Sequence, residues 1–308
     1  MSELDLVRLV AGAAFLGVAA VSDLRTRTVK DRVWVAMAAL GLAMFAADLW
    51  IRGVDPVVGL VLVPTAVLLF DPLIGQEFRT DKGWRFPPAS IAAYALAIGA
   101  TAYALWDLEG DTASRGTFLR YLTVPVMMLV FRGMYEIHLL KGGADAKALI
   151  VIAAFVPRYP DLSPFPLLVL DSPLRGTLEV LFPFSLLVLL NAALLFAILP
   201  LAFLAYNATR GDLQLPMALV GYKVPLNRVP KYVWFMDRIK DGERVTVYFP
   251  AKHQDRAKIM GDLRRAGLKE AWVTPQLPFM VPLAIGYVLA FVVGNPLMAL
   301  LQVLLPHP

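Results

Sequence analysis

The stretch Leu139-Leu140-Lys141-Gly142-Gly143-Ala144-Asp145-Ala146-Lys147-Ala148-Leu149-Ile150 decides how this chain is read. A glycine pair breaks a long apolar run, and a carboxylate stands at the head of the next apolar segment. The glycines suit a tight turn between two helices. The carboxylate asks for more, because an ionisable group at the edge of a bilayer is costly and marks a candidate functional site.

Composition supplies the bilayer. Apolar residues make up 58% of the chain and charged residues 17%, with a mean hydropathy of +0.65. An average globular chain is about 25% charged and 45–50% apolar. The apolar residues come in long blocks, so the fold class expected is an all-α polytopic membrane protein. Eight segments are predicted: about 5–22, 31–51, 56–71, 88–107, 118–140, 144–157, 178–206 and 279–303. The sixth is short for a span of roughly 20 residues, and Pro157 is expected to end it. The first follows Glu3 and Asp5 and has only Arg8 as a basic residue, so it reads as a retained helix and not a cleaved leader.

Lys and Arg give the orientation. They gather at Arg25–Arg32, at Arg79–Arg85, at Arg132, Lys141 and Lys147, and throughout the polar segment from Arg210 to Lys269. The positive-inside rule then puts these loops in the cytoplasm and both termini outside. The polar segment 207–277 is expected to be a small α+β cytoplasmic lobe inserted before the last helix. Arg244–Phe249 alternates like a strand, 252–266 reads as an amphipathic helix capped by Gly267, and Ala271–Thr274 reads as a second strand. The domains expected are therefore 1–206, with seven membrane helices, the lobe 207–277, and 278–308 with the last helix.

No cysteine is present, which excludes disulfides, thiolate nucleophiles and cysteine–zinc sites. Three histidines, scattered, do not make a metal site, and none is expected. This topology brings Asp23, at the end of the first helix, to the same membrane face as Asp145. Two carboxylates at one partly desolvated site hold a single shared proton near neutral pH. The ionised member can activate a water while the protonated one donates to a substrate carbonyl. Such chemistry requires no cofactor.

The residues around both aspartates carry a resemblance. Asp23-Leu24-Arg25-Thr26-Arg27-Thr28-Val29 resembles the first-aspartate motif of type IV prepilin peptidases, especially the archaeal preflagellin/prepilin peptidases. Gly142-Gly143-Ala144-Asp145 resembles their second, GxGD-type motif, with Ala144 where the strict pattern has its second glycine. Pro275-Gln276-Leu277-Pro278 is similar to the Pro-Ala-Leu-Pro motif of presenilins, which share the aspartyl pattern. The resemblance implies a membrane aspartyl endopeptidase with Asp23 and Asp145 as its dyad. Gly142, Gly143, Ala144, Pro275 and Pro278 would shape the site. The substrate implied is a type IV pilin-like or archaellin precursor, cut behind its short basic leader at the cytoplasmic face. Membrane lipids are the other partners expected, and nucleic acid is not.

Plainer readings exist for each group. Asp23 suits a loop residue capping the next helix, and Asp145 a carboxylate favoured by a helix dipole. The two prolines suit helix-start punctuation. Arg132 is expected to pair with Glu136 one turn on, and Asp71 to be a cap or loop residue. The alternative function is a proton- or cation-coupled transporter using the same aspartates; a third is a non-enzymatic scaffold.

Overall fold

A computed structural model describes residues 3–74, 79–80, 83–84, 87–140, 142–168, 176, 180–248, 250–251 and 254–304. Lys141, Phe249 and residues 252–253, on which parts of the expected turn, strand and helix fall, lie outside the described residues. The chain divides into two compact units, Met1–Ala193 with Pro278–Pro308, and Leu194–Leu277.

The first unit is helical: α1 (Glu3–Thr26), α2 (Asp31–Ile51), α3 (Leu62–Ile74), α4 (Pro88–Asp107), α5 (Thr112–Glu136), α6 (Gly143–Phe155), α7 (Phe184–Ala197), then α11 (Met280–Val292) and α12 (Pro296–Leu304) after the second unit. Strands β1 (Arg79–Thr80) and β2 (Gly83–Trp84) pair as a short hairpin between α3 and α4. Among the described residues, five helical stretches are long and apolar enough to cross a membrane: Glu3–Thr26, Asp31–Ile51, Pro88–Gly110, Thr112–Glu136 and Phe184–Thr209. Each of the eight expected segments is largely helical, and three of them fall short of that length. α3 follows a 3₁₀ turn at Val58–Val61. The 178–206 segment is two helices, with Ile198 between α7 and α8 (Leu199–Thr209) and Pro200 just beyond the break. The last segment is interrupted by Gly294, whose φ of +89° ends α11.

The helix ends follow local chemistry. α1 starts with Glu3 and Asp5 and ends with Arg25, matching its dipole. Asp111 caps α5, accepting from the backbone N–H groups of Ala113 and Ser114 at 3.0 and 3.1 Å.

α6 is short for a reason. Every residue from Ala148 to Phe155 is buried, and a helix apolar all round belongs in the core. α6 packs on α2 and α5, while α1 packs chiefly on α11. Two glycines allow these approaches. A Cβ on Gly41 of α2 would lie 3.0 Å from the Phe155 ring, and one on Gly12 of α1 would lie 2.2 Å from the Tyr287 hydroxyl.

The second unit holds α8, α9 (Met217–Val220) and α10 (Arg256–Arg265) with two sheets. β3 (Tyr222–Pro225), β7 (Glu270–Pro275) and β4 (Val233–Phe235) form an antiparallel sheet in that order, with Tyr222 opposite Val273 and Phe235 opposite Val273 on the other side. β5 (Asp237–Lys240) and β6 (Glu243–Thr246) form a hairpin. Val224, Val233, Phe235, Leu263, Ala271 and Val273 make one small core, and Ala218, Met236 and Trp272 another. The expected helix is present as Arg256–Arg265 and Ala271–Thr274 lies within β7, while of the expected strand Arg244–Phe249 only Arg244–Thr246 is in β6 and Val247 and Tyr248 are not in a strand. β3, β4 and β5 were not anticipated. The buried Asp237 joins the two sheets, accepting from Arg244 at 2.5 Å, the Thr246 hydroxyl at 2.5 Å and the Trp272 N–H at 2.6 Å.

Candidate active site

Asp23 lies in the last turn of α1, and the residues after it explain its fixed position. Arg27 takes a left-handed conformation, φ +58°, which stops the helix. The hydroxyls of Ser22 and Thr26 both reach the Thr28 carbonyl, at 2.7 and 3.1 Å, and fold the chain into α2. The Asp23 carboxylate accepts a hydrogen bond from the Met280 N–H, and the Arg27 charge acts on it. Met280 opens α11, so Asp23 stands at the positive end of a helix dipole and takes one of the amide protons a helix start leaves unpaired.

Asp145 is the third residue of α6, behind Gly142 at the N-cap. Its side chain folds back over that glycine: a Cβ at 142 would lie 2.1 Å from Asp145 Oδ2 and 2.9 Å from Cγ. As the third residue of the helix, the carboxylate also lies in the first turn, where a helix dipole favours negative charge. That placement does not compete with a second role, because Asp145 also feels the charge of Asp23. Both carboxylates are half-buried. They come from distant parts of the chain to one end of the first unit. No hydrogen bond among the described residues joins them.

The supporting residues divide. Gly143 faces the Tyr135 hydroxyl, 3.5 Å from where a Cβ would be. Ala144 packs against the apolar core. Pro278 precedes Phe279, the N-cap of α11, so it sits two residues before the amide that holds Asp23. Pro275 does something else: it ends β7, opposite Val233, and is a strand residue of the second unit.

Lys147, two residues past Asp145, pairs at 2.6 Å with Asp31 at the start of α2. This pair ties the segments that follow the two aspartates. Arg132, expected to pair with Glu136, reaches Asp71 at 2.6 Å and the Tyr94 hydroxyl at 3.2 Å. Asp71 is thus an ion-pair partner inside α3 and not a cap. The contributions of Met280, Tyr135 and Asp31 to the surroundings of the dyad have no signal in the sequence, since each depends on how helices meet. Among the described residues, no three His, Cys, Asp or Glu side chains gather into a group able to hold a metal ion.

Two half-buried carboxylates within range of each other's charge, one anchored on an amide and the other folded over a glycine, are the kind of groups that acid–base chemistry uses.

Comparison with known proteins finds similarity to peptidases. Residues 213–295 match the family described as the archaeal peptidase A24 C-terminus, type II. That region contains most of the second unit and α11, and neither aspartate. The chain is 28% identical over 167 residues to the preflagellin peptidase of Methanococcus voltae, covering 52% of this chain and 66% of that protein. It is 24% identical over 185 residues to the preflagellin peptidase of Methanocaldococcus jannaschii, covering 58% and 73%. The matched region thus spans about two thirds of the length of these curated relatives. A mostly helical chain with several apolar helices, a small β-containing unit and the A24 C-terminal region is similar, over about half its length, to the archaeal preflagellin peptidases.

Proposed function

We propose that this chain is a membrane aspartyl endopeptidase that removes the leader of archaellin or type IV pilin-like precursors, using Asp23 and Asp145. The observation that carries it is that Asp145, on α6, lies within range of the charge of Asp23, on α1. The similarity to preflagellin peptidases supports leader cleavage as the activity.

In the proposed reaction one carboxylate is ionised and takes a proton from a water lying between the pair. The resulting hydroxide attacks the scissile carbonyl as the other carboxyl protonates its oxygen. Collapse of the tetrahedral intermediate returns a proton to the leaving amine. The pair titrates as one unit, so the acid and base roles belong to the dyad and not to either residue. The Met280 amide holds Asp23 in orientation, and Gly142 leaves room for Asp145. Pro278 sets the start of α11 beside this site. Pro275 lies in β7 of the second unit.

The proposal includes eight membrane segments, the lobe 207–277 on the cytoplasmic side and both termini outside. It follows from the positive-inside rule and puts cleavage at the cytoplasmic face. Membrane lipids surround the apolar helices.

The test is cleavage of a precursor by purified protein. Asp23→Asn and Asp145→Asn are each expected to abolish cleavage and to leave the thermal melt unchanged within a few degrees. Full activity in either variant would sink the dyad.

A further inference from the structure

At the end of the helical unit opposite the aspartates lies a buried set of charges. Asp5 and Arg8 of α1 are fully buried and pair at 2.9 Å. Asp48 of α2 is 3% exposed, and its Oδ2 lies 3.7 Å from Arg8. Arg158, three residues beyond the end of α6, joins both helices. Its Nη2 donates to Asp5 Oδ2 at 3.2 Å and its Nε to Asp48 Oδ2 at 3.2 Å. The backbone N–H of Asp161 adds a further donor to Asp5 at 3.1 Å. A guanidinium bridging two carboxylates on two helices has a fixed fork geometry and holds them at a set angle.

The connectivity gives this bridge a consequence. Asp23 is on α1, and Asp145 is on α6. The two helices make little direct contact, since α1 packs on α11 and α6 on α2 and α5. Arg158 ties the far end of α6 to the far end of α1. From Asp5 to Asp23 is 18 residues of helix, about 27 Å at 1.5 Å per residue. A change of about 2° in the tilt of α1 about that clamp moves Asp23 by about 1 Å, and a misplacement of that size costs about 100-fold in rate.

We infer that Arg158 is a positioning residue: by bridging Asp5 and Asp48 it fixes the angle between α1 and α6 and so the separation of Asp23 from Asp145. The inference rests on the proposed dyad for its effect on rate, and on the helix geometry alone for its effect on distance.

The experiment uses the full chain, whose lack of cysteine allows paired spin labels at Val21→Cys and Leu139→Cys, both exposed and near the two aspartates. Arg158→Gln should broaden the distance distribution between the labels. It should also lower kcat for precursor cleavage about tenfold or more, with KM changed less than about twofold. Arg158→Lys, which keeps the charge without the fork, should recover part of kcat. Arg52→Gln removes a half-exposed contact to Asp48 on the rim of the cluster and should change neither readout. If Arg158→Gln does not fold, Asp48→Asn replaces it; it keeps the Asp5 contact and should shift both readouts in the same direction by less. An unchanged distance distribution overturns the inference, whatever happens to the rate. A broadened distribution with unchanged kcat also overturns it. Cleavage by Asp23→Asn instead removes the dyad, and the label distances then still decide whether Arg158 sets the helix angle.

Discussion

Gly142→Ala is the sharpest single test of the candidate site. Gly142 has φ −102° and ψ 122°, which alanine adopts without strain. The new methyl would nevertheless sit 2.1 Å from Asp145 Oδ2, against about 3.4 Å for ordinary contact. The oxygen must therefore retreat by about 1.3 Å. It can do so, being the far end of a side chain, so the cost in stability is small: alanine for glycine at an N-cap costs about 1 kcal/mol. The cost in chemistry is larger. Displacing a reacting group by about 1 Å lowers the rate about 100-fold, or about 2.7 kcal/mol in the barrier. The expected outcome is a kcat for precursor cleavage down about 100-fold, with a thermal melt shifted by only a few degrees. Gly143→Ala is the control in the same turn. Its methyl would meet the Tyr135 hydroxyl at 3.5 Å, an ordinary contact, and kcat should stay within about threefold. Equal tolerance of both alanines would refute the idea that Gly142 exists to make room for Asp145.

Two further outcomes are expected. Asp237→Ala leaves the Trp272 amide, the Thr246 hydroxyl and the Arg244 guanidinium without their shared acceptor, so it should cost about 3 kcal/mol in denaturant unfolding of the full chain; a loss under about 1 kcal/mol would show that Asp237 is not what holds the two sheets together. A tag at residue 255 should be protected in intact cells and one at the C-terminus accessible, and the reverse labelling would overturn the proposed orientation.

The helices were legible because apolar blocks are a local signal. Their interruptions were less so. Pro200 and Gly294 were both visible in the sequence, yet each lies inside a run apolar enough to read as one segment. The β5–β6 hairpin has a local signal: Asp241-Gly242 between alternating residues is a favoured two-residue turn, and both residues have positive φ, +53° and +83°. β3 and β4, three or four residues each, carry no such mark. The charge pairs were not legible at all. Arg132 meets Asp71 across 61 residues, Arg158 meets Asp48 across 110 and Asp5 across 153. Nothing local in sequence couples positions so far apart. Counting Lys and Arg could not say that Arg8 is buried and that Arg158 bridges two carboxylates.

For the site itself, the motif directs attention to Ala144, where the strict pattern has glycine. The geometry moves the constraint two residues back. Ala144 packs its methyl against the apolar core, where a side chain larger than hydrogen is accommodated. Gly142 has no such freedom, because Asp145 occupies the space its side chain would need. The same turn also explains why α6 can be short. Its buried length is enclosed by α2 and α5 and need not reach across lipid, so its start can lie at an end of the unit where Asp145 stays half-exposed. A carboxylate there is half-exposed to water and within range of the Asp23 charge. A longer, lipid-facing α6 would gain span and lose that position, which is why the glycine break and the short helix belong to one design.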